Sequence, residues 1–93
     1  MTIENWRQKI DSIESQIINL INERAKYAQH IGHIKEEQGL PVYDEKREIE
    51  IFKRIASKNQ GPFPDESVQK VFKTLIEQTR LLEKVNSVAP SDS

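Results

Sequence analysis

Arg24 is a charge standing where an apolar side chain belongs. It falls in the series Ile3, Trp6, Ile10, Ile13, Ile17, Leu20, Arg24, Tyr27, Ile31 and Ile34, whose spacings alternate between four and three residues. That alternation is a heptad seam, and a seam lies against another helix. A guanidinium there needs an anionic partner, because an unpaired buried charge is very costly. Lys35 follows eleven residues later, a rotation of only about 20° at 100° per residue. The two cations share a face about 16 Å apart at the backbone, and long side chains can converge between them. A second segment sets Asp44, Arg47 and Glu48 on the line of Ile51, Phe52 and Ile55. A third sets Thr79 and Glu83 on the stripe of Val68, Val71, Phe72, Leu75, Ile76, Leu82 and Val85.

Each of these has a simpler reading on its own. Arg24 can pair with a buried glutamate or snorkel to solvent, Arg47-Glu48 can pair with the first helix, and Thr79 can bond its own i−4 carbonyl. Taken as a set, they put cations and hydrogen-bonding groups on the buried faces of three elements. That is a polar pocket inside a helical bundle, suited to a small polyanion that carries a hydroxyl. Arg7 stands about 25 Å from Arg24 along the same helix, too far for both to grip one small molecule. It is either a surface residue or a contribution to the site of a second copy of the chain.

Other chemistries are poorly served. His30 and His33 are the only histidines; with no acid fixed beside them they read as exposed residues rather than metal ligands. The chain has no Gly-rich phosphate loop, no G-x-S-x-G elbow and no cysteine, so neither a cofactor nor a metal is expected. Fourteen basic and 15 acidic residues leave a net charge of −1, and the basic ones lack aromatic interleaving, which argues against nucleic acid.

The elements that must position these residues are helices. Helix breakers fall in two clusters, Gln38-Gly-Leu-Pro-Val-Tyr43 and Asn59-Gln-Gly-Pro-Phe-Pro64, and the stretches between are rich in Glu, Lys, Gln, Ile, Leu and Ala. The expected elements are helices at 3–37, 44–58 and 65–86, in an all-α domain over 1–86 with a flexible polar tail over 87–93. Asp44 and Asp65 are the expected N-caps of the second and third helices, and Gly39 the C′ residue of the first. The first helix, at about 50 Å, is longer than the 30–35 Å diameter expected of a compact chain of this size. An intertwined homodimer of three-helix chains solves this. A monomeric bundle with the first helix broken at Gly32 is the alternative. Hydrophobic residues are only 35% of the chain, too few for a large core of its own. No apolar run spans a membrane, and the opening MTIENWRQK lacks a secretory core, so a soluble cytoplasmic protein is expected.

These residues, in this order, resemble the all-helical class of chorismate mutases. The resemblance runs from Trp6 to about Val85 through Arg7-Gln-Lys-Ile-Asp11, Leu20-Ile-Asn-Glu-Arg24, Ile31-Gly-His-Ile-Lys35, Gly39-Leu-Pro-Val-Tyr-Asp44 and Arg47-Glu48. It rests on the whole spacing Arg-x16-Arg-x10-Lys-x8-Asp-x2-Arg-Glu. Gly61-Pro-Phe and the helix after it look like the mutase domains fused to an aromatic-pathway synthase, so fusion to or association with another pathway enzyme is an expected arrangement. The resemblance implies an intertwined dimer that converts chorismate to prephenate, for phenylalanine and tyrosine biosynthesis. This is a [3,3]-sigmatropic rearrangement without nucleophile, proton relay, metal or organic cofactor.

Residue by residue, the resemblance implies that Arg24 and Arg7 of the partner subunit clamp the substrate carboxylates. It makes Lys35 the contact to the ether oxygen and one carboxylate. Arg47 lines the pocket, Glu48 and the backbone near Asp44 take the ring hydroxyl, and Thr79 stands where the family often has a Ser near a carboxylate. Glu83 falls where many relatives have Gln and others Glu, the second donor to the ether oxygen. An ionised carboxylate there repels the developing charge, so activity should rise as pH falls unless the pocket raises the Glu83 pKa. Lys35, Glu83 and Arg24 are thus the expected catalytic residues. Two other readings remain. An isochorismate pyruvate-lyase shares the fold and similar cations, though the stretch from Val42-Tyr-Asp44 to Glu48 matches the mutases. A non-catalytic regulatory or dimerisation module has no need of Arg24 on the seam.

Overall fold

The computed structural model describes residues 1–88, with side chains described as far as Glu83. It contains three helices, α1 (Ile3–Gln38), α2 (Glu45–Lys58) and α3 (Asp65–Val88). The described chain is all-α, as expected. Most of the expected tail, residues 89–93, lies outside the described part; α3 itself runs through Ser87 and Val88, past its expected end.

The helix ends have local causes. Thr2 opens α1 with a reciprocal cap: its Oγ1 accepts from the Asn5 backbone N–H at 3.2 Å, and Asn5 Oδ1 accepts from the Thr2 N–H at 3.1 Å. Such a pair satisfies two donors that the first turn leaves free. Gly39 ends the helix at φ 69°, a left-handed conformation that costs glycine nothing. From there Leu40 donates back to the Lys35 carbonyl at 2.7 Å. Asp44 caps α2 by accepting from the Arg47 N–H at 3.0 Å.

The third cap differs from expectation. Asp65 is the first residue of α3 rather than its N-cap, and Pro64 supplies the carbonyl that Val68 donates to. The Asp65 carboxylate instead accepts from the Asn59 side-chain amide at 2.8 Å. That amide also donates to the Phe63 carbonyl, so Asn59 spans the loop from the end of α2 to the start of α3.

α3 packs against both α1 and α2, and is the element that joins them. The buried apolar core is small: Ile51 and Ile55 of α2 and Ile76 of α3, with Phe52, Val68 and Phe72 packed around them. α1 is continuous through Gly32, so the alternative of a broken first helix does not hold. Its forward half lies in the open, with Trp6 54% and Ile10 53% exposed. The chain measures 54 × 32 × 14 Å, and its radius of gyration is 16.7 Å against about 12 Å for a compact chain of this length.

Candidate functional site

A cleft of about 240 Å³ is lined by residues of all three helices and of the α1–α2 loop. Arg24, Lys35, Asp44, Arg47, Glu48, Thr79 and Glu83 all border it. Arg7 does not, and is exposed on the free part of α1. The sequence places the site residues on faces; α3, lying across the other two helices, brings those faces together.

Arg24 is half-buried, and its Nη1 donates to Thr79 Oγ1 at 3.2 Å. The Thr79 hydroxyl gives its own proton to the Leu75 carbonyl at 2.6 Å, the i−4 bond expected of it. Its lone pairs therefore face Arg24. The buried glutamate partner expected as one reading of Arg24 is absent: among the described residues no carboxylate oxygen lies within 4.0 Å of its guanidinium. Burial lowers the Arg24 pKa from its ordinary value, with help from the nearby charges of Arg47 and Arg54 and opposition from Glu83. Lys35 Nζ donates to the Val42 carbonyl at 3.1 Å, tying α1 to the loop that follows it. It too has no carboxylate within 4.0 Å among the described residues. Two cations thus border one cleft without a neutralising anion in contact, which makes it attractive to an anionic ligand.

Glu83 enters from α3 and is only 9% exposed. Its Oε2 is buried without a hydrogen-bond partner among the described residues, an expensive state for a carboxylate oxygen. Burial raises the Glu83 pKa, while Lys35, Arg24 and Arg80 pull it back in that order without cancelling the rise. The close approach of α3 here depends on Gly32. An ideal Cβ on Gly32 would lie 3.3 Å from Glu83 Cγ and 3.4 Å from its Cβ. Gly32 is therefore the flat spot on α1 that admits Glu83, not a hinge.

The charges of α2 border the cleft as expected and do not follow their simpler reading. Arg47 and Glu48 do not pair with α1. Arg47 reaches Glu50 one turn along at 3.8 Å, an exposed contact worth little. Glu48 accepts from Arg80 of α3. Arg80 also lies 4.7 Å from the centroid of the Tyr43 ring and borders the cleft. Sequence reasoning passed over Arg80. The available signal was its place four residues after Ile76 and three before Glu83, on the same line of α3. His30 and His33 are exposed, and no cluster able to hold a metal occurs among the described residues.

Similarity to known proteins covers almost the whole chain. The family described as chorismate mutase type II matches residues 6–84. The bifunctional chorismate mutase/prephenate dehydratase of Aquifex aeolicus is 38% identical over 91 residues, which is 94% of this chain but 25% of that protein. The chain thus spans about a quarter of the length of such bifunctional relatives. Among solved structures, a chorismate mutase from Thermus thermophilus superposes with a TM-score of 0.87 at 39% identity, covering 88% of this chain and 93% of that one. A Helicobacter pylori chorismate mutase solved in complex with prephenate also gives 0.87, at 26% identity over 96% of this chain and 97% of its own.

Proposed function

The chain belongs to the type II chorismate mutase family, and on that premise we propose that it rearranges chorismate to prephenate as a homodimer. The observation that carries this reading is the pairing of Lys35 and Glu83. They reach one cleft from different helices: among the described residues the first is a cation without a contacting carboxylate and the second a buried carboxyl with an unpartnered oxygen.

The rearrangement breaks a carbon–oxygen bond and forms a carbon–carbon bond within one molecule. The ether oxygen gains negative charge as its bond stretches. Lys35, with an ammonium free of carboxylate contact, stabilises that charge more in the transition state than in the ground state. A protonated Glu83 donates a hydrogen bond to the same oxygen. Arg24, fixed by Thr79, holds a substrate carboxylate and so restrains the folded conformer that reacts. Arg47 adds to the positive field, and Glu48 with the backbone near Asp44 takes the ring hydroxyl.

The second carboxylate calls for Arg7 of the partner subunit. The exposed seam of α1 and the elongation of the single chain support such a partner. Burying that seam removes apolar surface at about 25 cal/mol per Å². Mixing Arg7→Ala and Lys35→Ala chains after subunit exchange is therefore expected to restore activity that neither parent has. A mixed dimer contains one intact site. Fully exchanged but inactive mixtures would refute the shared site.

Gly32→Ala gives a second test. Alanine favours the helix by about 1 kcal/mol, yet its Cβ displaces Glu83 by a few tenths of an ångström. The expected result is a roughly tenfold lower kcat, since an ångström of misplacement costs about 10², with no loss of melting temperature. Unchanged kcat would refute the role of Gly32 in placing Glu83 for the reaction.

The direct experiment mixes the protein with chorismate, follows the loss of its absorbance and identifies the product chromatographically. Prephenate is the expected product. Pyruvate with an aromatic acid, or turnover of isochorismate alone, would replace the mutase by a lyase. No turnover by a folded dimer would leave a regulatory role.

A further inference from the structure

Arg80 has no part in the reaction as proposed so far, yet it contacts Glu48, which does. It donates through Nη2 to Glu48 Oε2, lies over the Tyr43 ring, and borders the cleft beside Thr79 and Glu83. One side chain of α3 therefore touches α2 and the α1–α2 loop at once. The engagement of Glu48 is through one oxygen only; Oε1 makes no hydrogen bond among the described residues.

Glu48 poses a problem that this geometry solves. The proposed substrate is a dianion, and a carboxylate free in its pocket would repel it. The same carboxylate must nevertheless accept a hydrogen bond from the ring hydroxyl. A second hollow, bordered by Glu48 and Arg80 and also by Lys73 and Glu77, lies next to the cleft. Its lysine is a second cation bordering the same hollow as Glu48.

Resting on the mutase reading, we propose that Arg80 is a positioning residue. It holds Glu48 by Oε2, cancels its charge toward the substrate, and leaves Oε1 as the acceptor for the ring hydroxyl. The Tyr43 ring fixes the guanidinium from the loop side, so the acceptor is set only when α3, α2 and the loop are packed together. Arg80 is planar and always charged, which suits one group that must pair and stack simultaneously.

The test is a double-mutant cycle on the full chain, with Arg80→Met, Glu48→Gln, the double variant and Arg80→Lys, each assayed with chorismate and each melted. Arg80→Met is expected to lower kcat/KM about 10- to 100-fold, the cost of misplacing a contact group. In the Glu48→Gln background the same change should matter by less than about twofold, the usual limit of additivity. Arg80→Lys, keeping the charge without the fork, should recover part of the loss. Equal losses in both backgrounds would overturn the proposal by making Arg80 act independently of Glu48. Coupling in melting temperature with wild-type kcat/KM in Arg80→Met would overturn it by confining the pair to stability. If the wild-type protein itself leaves chorismate unchanged, the mutase reading falls and this proposal with it. Turnover by wild type with an additive cycle removes only the role of Arg80.

Discussion

Lys35→Ala is expected to lower kcat by about a thousandfold or more while the protein stays folded. Removing one neutral donor to a developing oxyanion costs about 10²–10³, and a charged donor in a sheltered cleft costs more. The fold has little at stake. Among the described residues the Lys35 side chain makes one hydrogen bond, to the Val42 carbonyl, worth about 1 kcal/mol. Because the contact strengthens as the ether bond stretches, the loss should appear in kcat more than in KM. Assay with chorismate and a thermal melt of the same sample check both halves. A melting temperature near wild type with unchanged turnover would leave Lys35 only as a tie to the loop. The substitution also removes the largest influence that pulls the Glu83 pKa down, so the carboxyl should hold its proton to still higher pH in the variant.

The pH dependence of wild type against Glu83→Gln carries the next largest effect. Burial raises the Glu83 pKa from its ordinary value, and Lys35, Arg24 and Arg80 only partly offset it. The neutral acid, which can donate to the ether oxygen, therefore persists above the pH at which an ordinary glutamate ionises. Wild-type kcat is expected to be highest at low pH and to fall as pH rises through the raised pKa, by up to about tenfold per unit. Glutamine donates at every pH, so Glu83→Gln should lack that decline. Stability follows the same sign. Above the ordinary glutamate pKa the unfolded chain has lost this proton while the folded chain retains it. The Glu83 contribution to stability therefore declines as pH rises through the folded pKa, and is level above it. Superimposable profiles for the two proteins would exclude Glu83 as the titrating group.

Much of the fold was readable from local chemistry. Gly39 and Asp44 mark helix ends because a left-handed residue and an N-capping carboxylate act within a few residues of themselves. The exception, Asp65, shows the limit of such rules. A proline ahead of it supplies the capping carbonyl, and Asn59 from the previous helix end claims its carboxylate. The length of α1 and its apolar spacing likewise state, without a structure, that one chain cannot cover its own seam.

Seven of the eight expected site residues border one cleft: residues three and four apart share a helix face, and the packing of α3 against the other two helices brings those faces together. Which charges pair across helices is another matter. Arg24 finds a threonine where a glutamate was one expectation, and Glu48 finds Arg80 of α3 rather than α1. Helical period sets the direction of a side chain but not the register of one helix against the next. That register is set by packing of Ile51, Ile55 and Ile76 and by the missing Cβ of Gly32. Gly32 shows the difference most plainly. As a letter it costs about 1 kcal/mol in a helix and reads as a weak point; against α3 it is the gap that lets Glu83 reach the cleft. The amino-acid order by itself determined three helices and the faces that carry the charges. Only their packing decided which charges are neutralised and which are left for a ligand, because that depends on distances between segments far apart along the chain.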